Sequence, residues 1–272
     1  MIAGSITLSG VRVRRGGRTV LQIDGLEIPA GDFVGIVGPN GAGKTTFLKL
    51  CAGLVKPHGG VVRLDGLDLT CLGGWRKCRL RQRIGYIPQV AEYNAELPFT
   101  LREVVAMGRT SVRPLLTSLS AEDYRIVDQW IEAVGLHDRR DQTFRSLSGG
   151  EQQKALIARA MAQTPRILML DEACANLDFD WKHQISEMVQ SLYRQTQITV
   201  LMVSHETSVL PRACRRLVLF SGGRVLADGE TEEVLSPERL RAAYRADLRV
   251  TEVAGRKYIV TEAGDATARG TV

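Results

Sequence analysis

The chain has 272 residues, of which 44% are hydrophobic and 24% charged, enough apolar material for one large core or a core with a subdomain. Its formal charge of +6 is a modest excess, and the densest basic run, Trp75 to Arg83, contains one aromatic residue, so it reads as a solvated surface helix and not as a nucleic-acid stripe. Five cysteines (51, 71, 78, 174 and 214) with no C-x-x-C pair argue against a disulfide framework or a zinc site and suit a reducing compartment. The N-terminus lacks an apolar signal segment, and the longest apolar run, ITVLMV at 198–203, is too short to span a bilayer, so a soluble cytosolic chain is expected.

In chain order, residues 6–13 and 19–28 alternate in Val, Ile and Leu around a Gly16-Gly17 turn and predict two strands of a β-rich N-terminal section. FVGIVG at 33–38 predicts a short buried strand, and 44–54 the helix that leaves it. From about 98 to 163 the character is helical. Thr100-x-x-Glu103, Ser120-x-x-Asp123 and Ser148-x-x-Glu151 each have the form of a capping box. The second of these helices places Tyr124, Val127, Trp130, Ile131 and Val134 on one face before Gly135 stops it. Strands return at 166–170 and 198–203 with a helix at roughly 181–194 between them. The fold class is therefore α/β, a parallel core interrupted by a helical insert.

The stretch Gly38-Pro39-Asn40-Gly41-Ala42-Gly43-Lys44-Thr45 fits the phosphate-binding pattern G-x-x-x-x-G-K-[ST] and lies between a predicted strand and a predicted helix, the context such a loop requires. Its glycines let backbone N–H groups converge on phosphate oxygens at a helix N-terminus. Lys44 is placed for the β- and γ-phosphates and Thr45 for Mg²⁺, with Thr46 following in the same turn. The apolar strand Arg166 to Leu170 delivers two carboxylates to its end. Asp171 is expected to organise Mg²⁺ and Glu172 to take a proton from the attacking water. One strand later, Ser204-His205 repeats the geometry, and His205 is expected to sense the γ-phosphate. Gln89, after IGYIP, sits where the core gives way to the insert and is expected to reach the metal and the water. A second grip, LSGGEQ at 147–152, is a capped helix start with exposed N–H groups and no ligand of its own.

Together these motifs resemble the nucleotide-binding subunit of an ATP-binding cassette (ABC) transporter. GPNGAGKT matches Walker A, Gln89 the Q-loop, LSGGEQ the signature, LMLDE (168–172) Walker B, ANLD (175–178) the D-loop and His205 the switch histidine. The resemblance implies a P-loop NTPase core with a β-rich N-terminal subdomain and an inserted helical subdomain. It implies a cassette over 1–245 (core 1–89 and 164–245, insert about 90–163) and a short β-type tail over 246–272. It also implies ATP and Mg²⁺ as cofactors, with Thr45, Gln89 and Asp171 at the metal. Ser148, Gly149, Gly150 and Glu151 would close on the ATP of a partner subunit, with Asp178 in the D-loop, so that two chains sandwich two nucleotides head to tail. Arg15 stands where the family has an aromatic residue on adenine, and a guanidinium plane can stack there instead. Ala173-Cys174 replaces a Pro-Thr pair, and Glu206 follows the histidine where many relatives have Asp.

The implied partners are a second cassette (identical or related), polytopic membrane permease subunits and a substrate-binding protein, with no nucleic acid. The implied location is the cytoplasmic face of the cell membrane. The stretch LPFTLREVVAMGRT (97–110) and the tail, residues 223–244 followed by 248–260, which alternates as a short hairpin pair around Gly255, are similar to importers of iron–siderophore, haem, cobalamin and metal ions. The alternatives are a soluble cassette acting in iron–sulfur assembly or on nucleic acid, or a transporter ATPase for another cargo.

Overall fold

The computed structural model describes residues 1–89, 98–114, 116–175, 177–246, 248–253 and 256–261. Strands β1 (Ile6–Arg15) and β2 (Arg18–Ile28) pair antiparallel around the Gly16-Gly17 turn. The short strand β3 (Phe33–Val37) leads through the glycine loop into helix α1 (Lys44–Cys51). Strands β4 (Gly59–Leu64) and β5 (Leu67–Asp68) complete a four-stranded sheet in the order β2-β1-β4-β5. Helix α2 (Gly74–Arg81) buries only Leu80, as a basic surface helix should. Strand β6 (Ile84–Ile87) precedes the helical region α3 (Leu101–Thr110), α4 (Ala121–Ala133) and α5 (Gly149–Ala162). Then come β7 (Ile167–Asp171), α6 (Phe179–Thr196), β8 (Thr199–Val203), β9 (Arg216–Ser221) and β10 (Arg224–Glu230). The short helices α7 (Thr231–Val234) and α8 (Pro237–Tyr244) lead to an antiparallel pair, β11 (Leu248–Val253) and β12 (Arg256–Thr261). The turn glycine expected between those two strands, Gly255, and the C-terminal residues 262–272 lie outside the described residues, as do Leu97 and Asn176.

The second sheet has six strands in the order β10-β9-β3-β8-β7-β6, parallel except for the β10 edge. Strands β3, β7 and β8 are buried at every position, which explains their unbroken apolar runs. The period of two divides their side chains between two cores. Val34, Ile36, Met169 and Leu201 join the antiparallel sheet and α1, whereas Phe33, Val37, Leu168, Leu170 and Met202 join the helical side. This is the mixed α/β architecture expected, with an antiparallel sheet, a parallel P-loop sheet and a helical region.

All three capping boxes form. Thr100, Ser120 and Ser148 each accept from the N3 amide, and Glu103, Asp123 and Glu151 reach back to the N-cap amides. Helix α3 crosses α5 so closely that a Cβ on Gly108 would lie 2.1 Å from the Arg159 carbonyl. The α4 face differs from expectation at one position: Val127, Trp130, Ile131 and Val134 are buried, but Tyr124 is exposed and lies 4.8 Å from the Arg102 guanidinium carbon. The first turn of α4 is anchored by charge instead, through the fully buried Asp123, which accepts from Arg109, Arg113 and Ser120. An amphipathic phenol keeps its hydroxyl in water at little cost there.

Candidate functional site

Strands β3, β8, β7 and β6 are neighbours and run the same way, so the segments leaving their carboxyl ends meet at one edge of the sheet, where ligands bind in open α/β folds. The residues after β3 form the glycine loop, Gln89 follows β6, Asp171 ends β7, and Ser204-His205 follows β8. Four motifs scattered through the sequence thus arrive in one place.

The loop is a close-fitting cradle. Gly38 has φ 142°, and a Cβ there would lie 2.2 Å from the Phe220 carbonyl on β9. Gly43, at φ 97°, is the N-cap of α1 and turns the chain into the helix. Lys44 is 5% exposed and donates from Nζ to the carbonyls of Gly38 (2.7 Å) and Pro39 (3.0 Å). Burial lowers its pKa, against the opposing negative charges of Glu172 and Asp171.

Asp171 is fully buried beneath the loop. The Thr45 hydroxyl donates to its Oδ1 (2.9 Å) and the Tyr86 hydroxyl to its Oδ2 (3.0 Å). Burial raises the Asp171 pKa, and the two hydroxyl donors oppose that rise by stabilising the anion. Tyr86 is pushed up in turn, first by burial and then by the Asp171 charge.

Glu172 adopts left-handed φ 51°, unusual for a residue with a side chain, while its amide donates to Val203 on β8. The strained backbone turns its carboxylate out of the sheet. Oε2 accepts from Gln89 Nε2 at 2.6 Å and lies 3.8 Å from His205 Nδ1. On its other side, His205 Nε2 lies 3.3 Å from Glu206, whose Oε1 also accepts from Lys182 Nζ at 2.6 Å.

These groups open on a cleft of about 770 Å³ lined by Arg15, Val20, Asn40 to Thr46, Gln89, Glu172, Leu177, Lys182, His205 and Glu206, among others. Such a volume suits a nucleotide-sized ligand. Asp171 and Gly38 lie behind its floor, and Pro39 turns its carbonyl to Lys44. Arg15 is exposed at the rim, on the β1–β2 turn. The residues fit a magnesium nucleotide: Thr45, Asp171 and the Gln89 amide oxygen are hard oxygen donors, and the loop offers backbone N–H groups at a helix N-terminus. The described residues contain no group of three or more His, Cys, Asp or Glu able to hold a metal.

The second grip is elsewhere. None of Ser148, Gly149, Gly150 and Glu151 lines the cleft, nor does Asp178. Ser148 caps α5, with its amide donating to Glu151 Oε2 at 2.8 Å, and that bond holds the Glu151 carboxyl below its ordinary pKa. Gly149 is exposed, whereas Gly150 is buried against Trp181 of α6, where a Cβ would lie 2.0 Å from the indole. Asp178 caps α6 by accepting from the Trp181 amide at 2.9 Å. Cys174 is buried and its thiol is pushed up to about 12, first by burial, so it is an inert interior group. Sequence reasoning missed Tyr86, Trp181, Lys182 and a use for Glu206. Lys182 carried a signal, since it follows Asp178 by one helical turn.

A glycine cradle ahead of a helix, a buried lysine, an Asp–Thr pair and a carboxylate turned into the cleft define a P-loop ATPase. Comparison with known proteins narrows the class. A family model described as ABC transporter matches residues 21–175, and the chain belongs to that family. A cobalamin import ATP-binding protein of Halobacterium salinarum is 36% identical over 97% of this chain, which spans 65% of the relative's length. A hemin import ATP-binding protein of Bradyrhizobium diazoefficiens is 35% identical over 94% of both chains. Among solved structures, an ATP-binding cassette in a dimeric post-hydrolysis state with ADP and Pi superposes with TM-score 0.71 at 27% identity, covering 83% of this chain and 98% of that one.

Proposed function

We propose that the chain is the ATP-hydrolysing subunit of an importer, in which ATP-driven dimerisation powers movement of a metal chelate through separate membrane subunits. The observation that carries this reading is the separation of the two phosphate grips. Lys44, Thr45, Gln89, Glu172 and His205 share one cleft, while Ser148 to Glu151 stand outside it at a capped helix start. A second copy, turned head to tail, would bring its Ser148 grip onto the nucleotide of the first, as a dimeric cassette structure of similar fold allows.

In this arrangement Lys44 and the loop amides would hold the phosphates of ATP, and Thr45, Asp171 and Gln89 would hold a Mg²⁺ ion whose charge offsets that of the phosphates. Glu172 accepts the proton of the attacking water, His205 contacts the γ-phosphate, and Arg15 stacks on adenine. The described residues contain no helix long and apolar enough to cross a membrane. The subunit is proposed to work on the cytoplasmic face, through membrane partners. The helical insert, about 90–163, is the segment proposed to dock those permease subunits. The cargo class follows the relatives, named for cobalamin and hemin import. A substrate-binding protein would deliver it.

The test is affinity purification of the chain from its own cells in mild detergent, followed by reconstitution in vesicles and ATP-dependent uptake of cobalamin, haem and a ferric siderophore. Co-purification of a polytopic membrane protein and uptake of one chelate are expected. A chain that hydrolyses ATP but purifies only with soluble iron–sulfur or nucleic-acid partners would overturn the transport reading.

A further inference from the structure

We infer that Lys182 and Glu206 form a clamp that positions His205 and links it to the segment ending at Asp178. The inference rests on the proposed role of the cleft in ATP hydrolysis. Glu206 lies between two cationic or hydrogen-bonding groups: its Oε1 accepts from Lys182 Nζ at 2.6 Å and lies 3.3 Å from His205 Nε2. The other imidazole nitrogen, Nδ1, lies 3.8 Å from Glu172 Oε2, and Gln89 donates to that same oxygen at 2.6 Å. The imidazole is thus bracketed by two carboxylates. One belongs to the candidate base, and the other is fixed from behind by a lysine. Glu206 stands at ion-pair distance from Nε2, so its carboxylate, fixed by Lys182, limits where the ring can sit.

The backbone supports the same reading. Ser204 Oγ accepts from the Glu206 amide at 3.0 Å and donates to the Glu206 carbonyl at 2.7 Å, closing a tight turn with His205 at its apex. Lys182 belongs to the first turns of α6, whose N-cap is Asp178, and its own amide donates to the Asp178 carbonyl at 3.0 Å. The Lys182 side chain is 23% exposed and that of Glu206 37%, so water weakens the pair without dissolving it. A movement at Asp178, the N-cap of α6, would be carried through one helical turn to Lys182 and on to the imidazole. Lys182 and Glu206 are positioning residues in this account; His205 is the group that meets nucleotide.

The experiment compares the purified full-length wild type with Lys182→Ala, Lys182→Arg, Glu206→Gln and the charge-swapped double variant Lys182→Glu/Glu206→Lys. For each, kcat and KM for ATP, the dissociation constant of a fluorescent ATP analogue, and the melting temperature are measured. Lys182→Ala and Glu206→Gln are expected to lower kcat about tenfold, in the range of misplacing a catalytic group, with the nucleotide dissociation constant changed less than about twofold. Lys182→Arg should recover most of the lost kcat, because a single charge-assisted bond to one oxygen tolerates the exchange. The swapped pair separates a clamp from a simple tether. It should restore the melting temperature but not kcat, since a lysine at 206 cannot place a carboxylate beside the imidazole.

Wild-type kcat in Lys182→Ala, or full recovery of kcat by the swapped pair, would overturn the clamp. A wild type that binds ATP with no measurable turnover would instead sink the hydrolysis reading on which the clamp rests, so the two failures are distinguishable.

Discussion

Gln89 donates to the carboxylate of Glu172 at 2.6 Å, although the two lie 83 positions apart and on opposite sides of the helical region. The bond exists because β6 and β7 are adjacent parallel strands, paired from Ile84 with Ile167 to Ile87 with Leu170, and both residues leave the same edge of that pair. One residue is the candidate base and the other stands where the core hands over to the insert. Any rearrangement of the insert that displaces Gln89 therefore changes the hydrogen bonding and solvation of Glu172.

Glu172→Gln should retain nucleotide binding and lose turnover by about 10²–10⁴-fold, because the amide keeps the shape but cannot accept a proton. The variant keeps the left-handed backbone of this position, so its fold should be unchanged. Steady-state phosphate release together with size analysis in ATP is the check. The expected result is an accumulated ATP-bound dimer, and normal turnover would remove Glu172 as the base.

Lys44→Ala should weaken ATP binding by about 1.5–3 kcal/mol, the scale of one charge-assisted contact. Titration with a fluorescent ATP analogue measures it, and an unchanged dissociation constant would show that the loop is not the site. Ser148→Arg should do the reverse: near-normal binding by the single subunit, but no ATP-dependent dimer, because Ser148 lies outside its own chain's cleft. A mixed dimer of the two variants, in a Glu172→Gln background, should trap one ATP. Both lesions then fall in a single composite site and leave the other whole. No trapped nucleotide would place both grips on one chain's ligand.

Asp123→Asn should lower stability by about 3–5 kcal/mol at neutral pH, since it leaves the Arg109 and Arg113 charges without their buried acceptor. Burial alone would raise the Asp123 pKa. The hydrogen bonds from Arg113, Ser120 and Arg109 outweigh that and hold the carboxyl well below the usual carboxylate range. A depressed folded-state pKa contributes stability that is fully present above the unfolded value near about 3.9 and is lost as pH falls below it. Urea midpoints of wild type and variant should therefore differ by a constant amount from pH 7 to 5 and converge below pH 4. A gap that widened in acid would contradict the assignment.

Thiol alkylation of the native protein near neutral pH should modify the exposed Cys71 and Cys78 and spare Cys51, Cys174 and Cys214. Burial pushes the Cys174 and Cys214 thiols up to about 12, so their thiolate fraction is negligible under these conditions. Peptide mass mapping after short exposure reads the pattern. Rapid labelling of Cys174 would show that the segment around it opens in solution.

The sequence by itself determined the phosphate loop, the helix caps and the buried strands, features written in local residue patterns. The glycine loop was legible because only residues without a Cβ reach φ 142° at Gly38 or φ 97° at Gly43, and the three capping boxes because Ser or Thr with an acid three residues on satisfies helix amides locally. The strands that carry Asp171 and His205 were legible because strands buried on both faces need unbroken apolar runs. Only the tertiary structure decided which of these pieces meet. Sheet order brings Gln89 and His205 to Glu172 and leaves Ser148 outside the cleft. Tyr86 becomes a partner of Asp171 and Trp181 a wall for Gly150, while Tyr124, patterned for the core, stays in water beside Arg102. Helical and strand periods say which face of an element is apolar, but contact between distant elements depends on crossover and register, which no local pattern encodes.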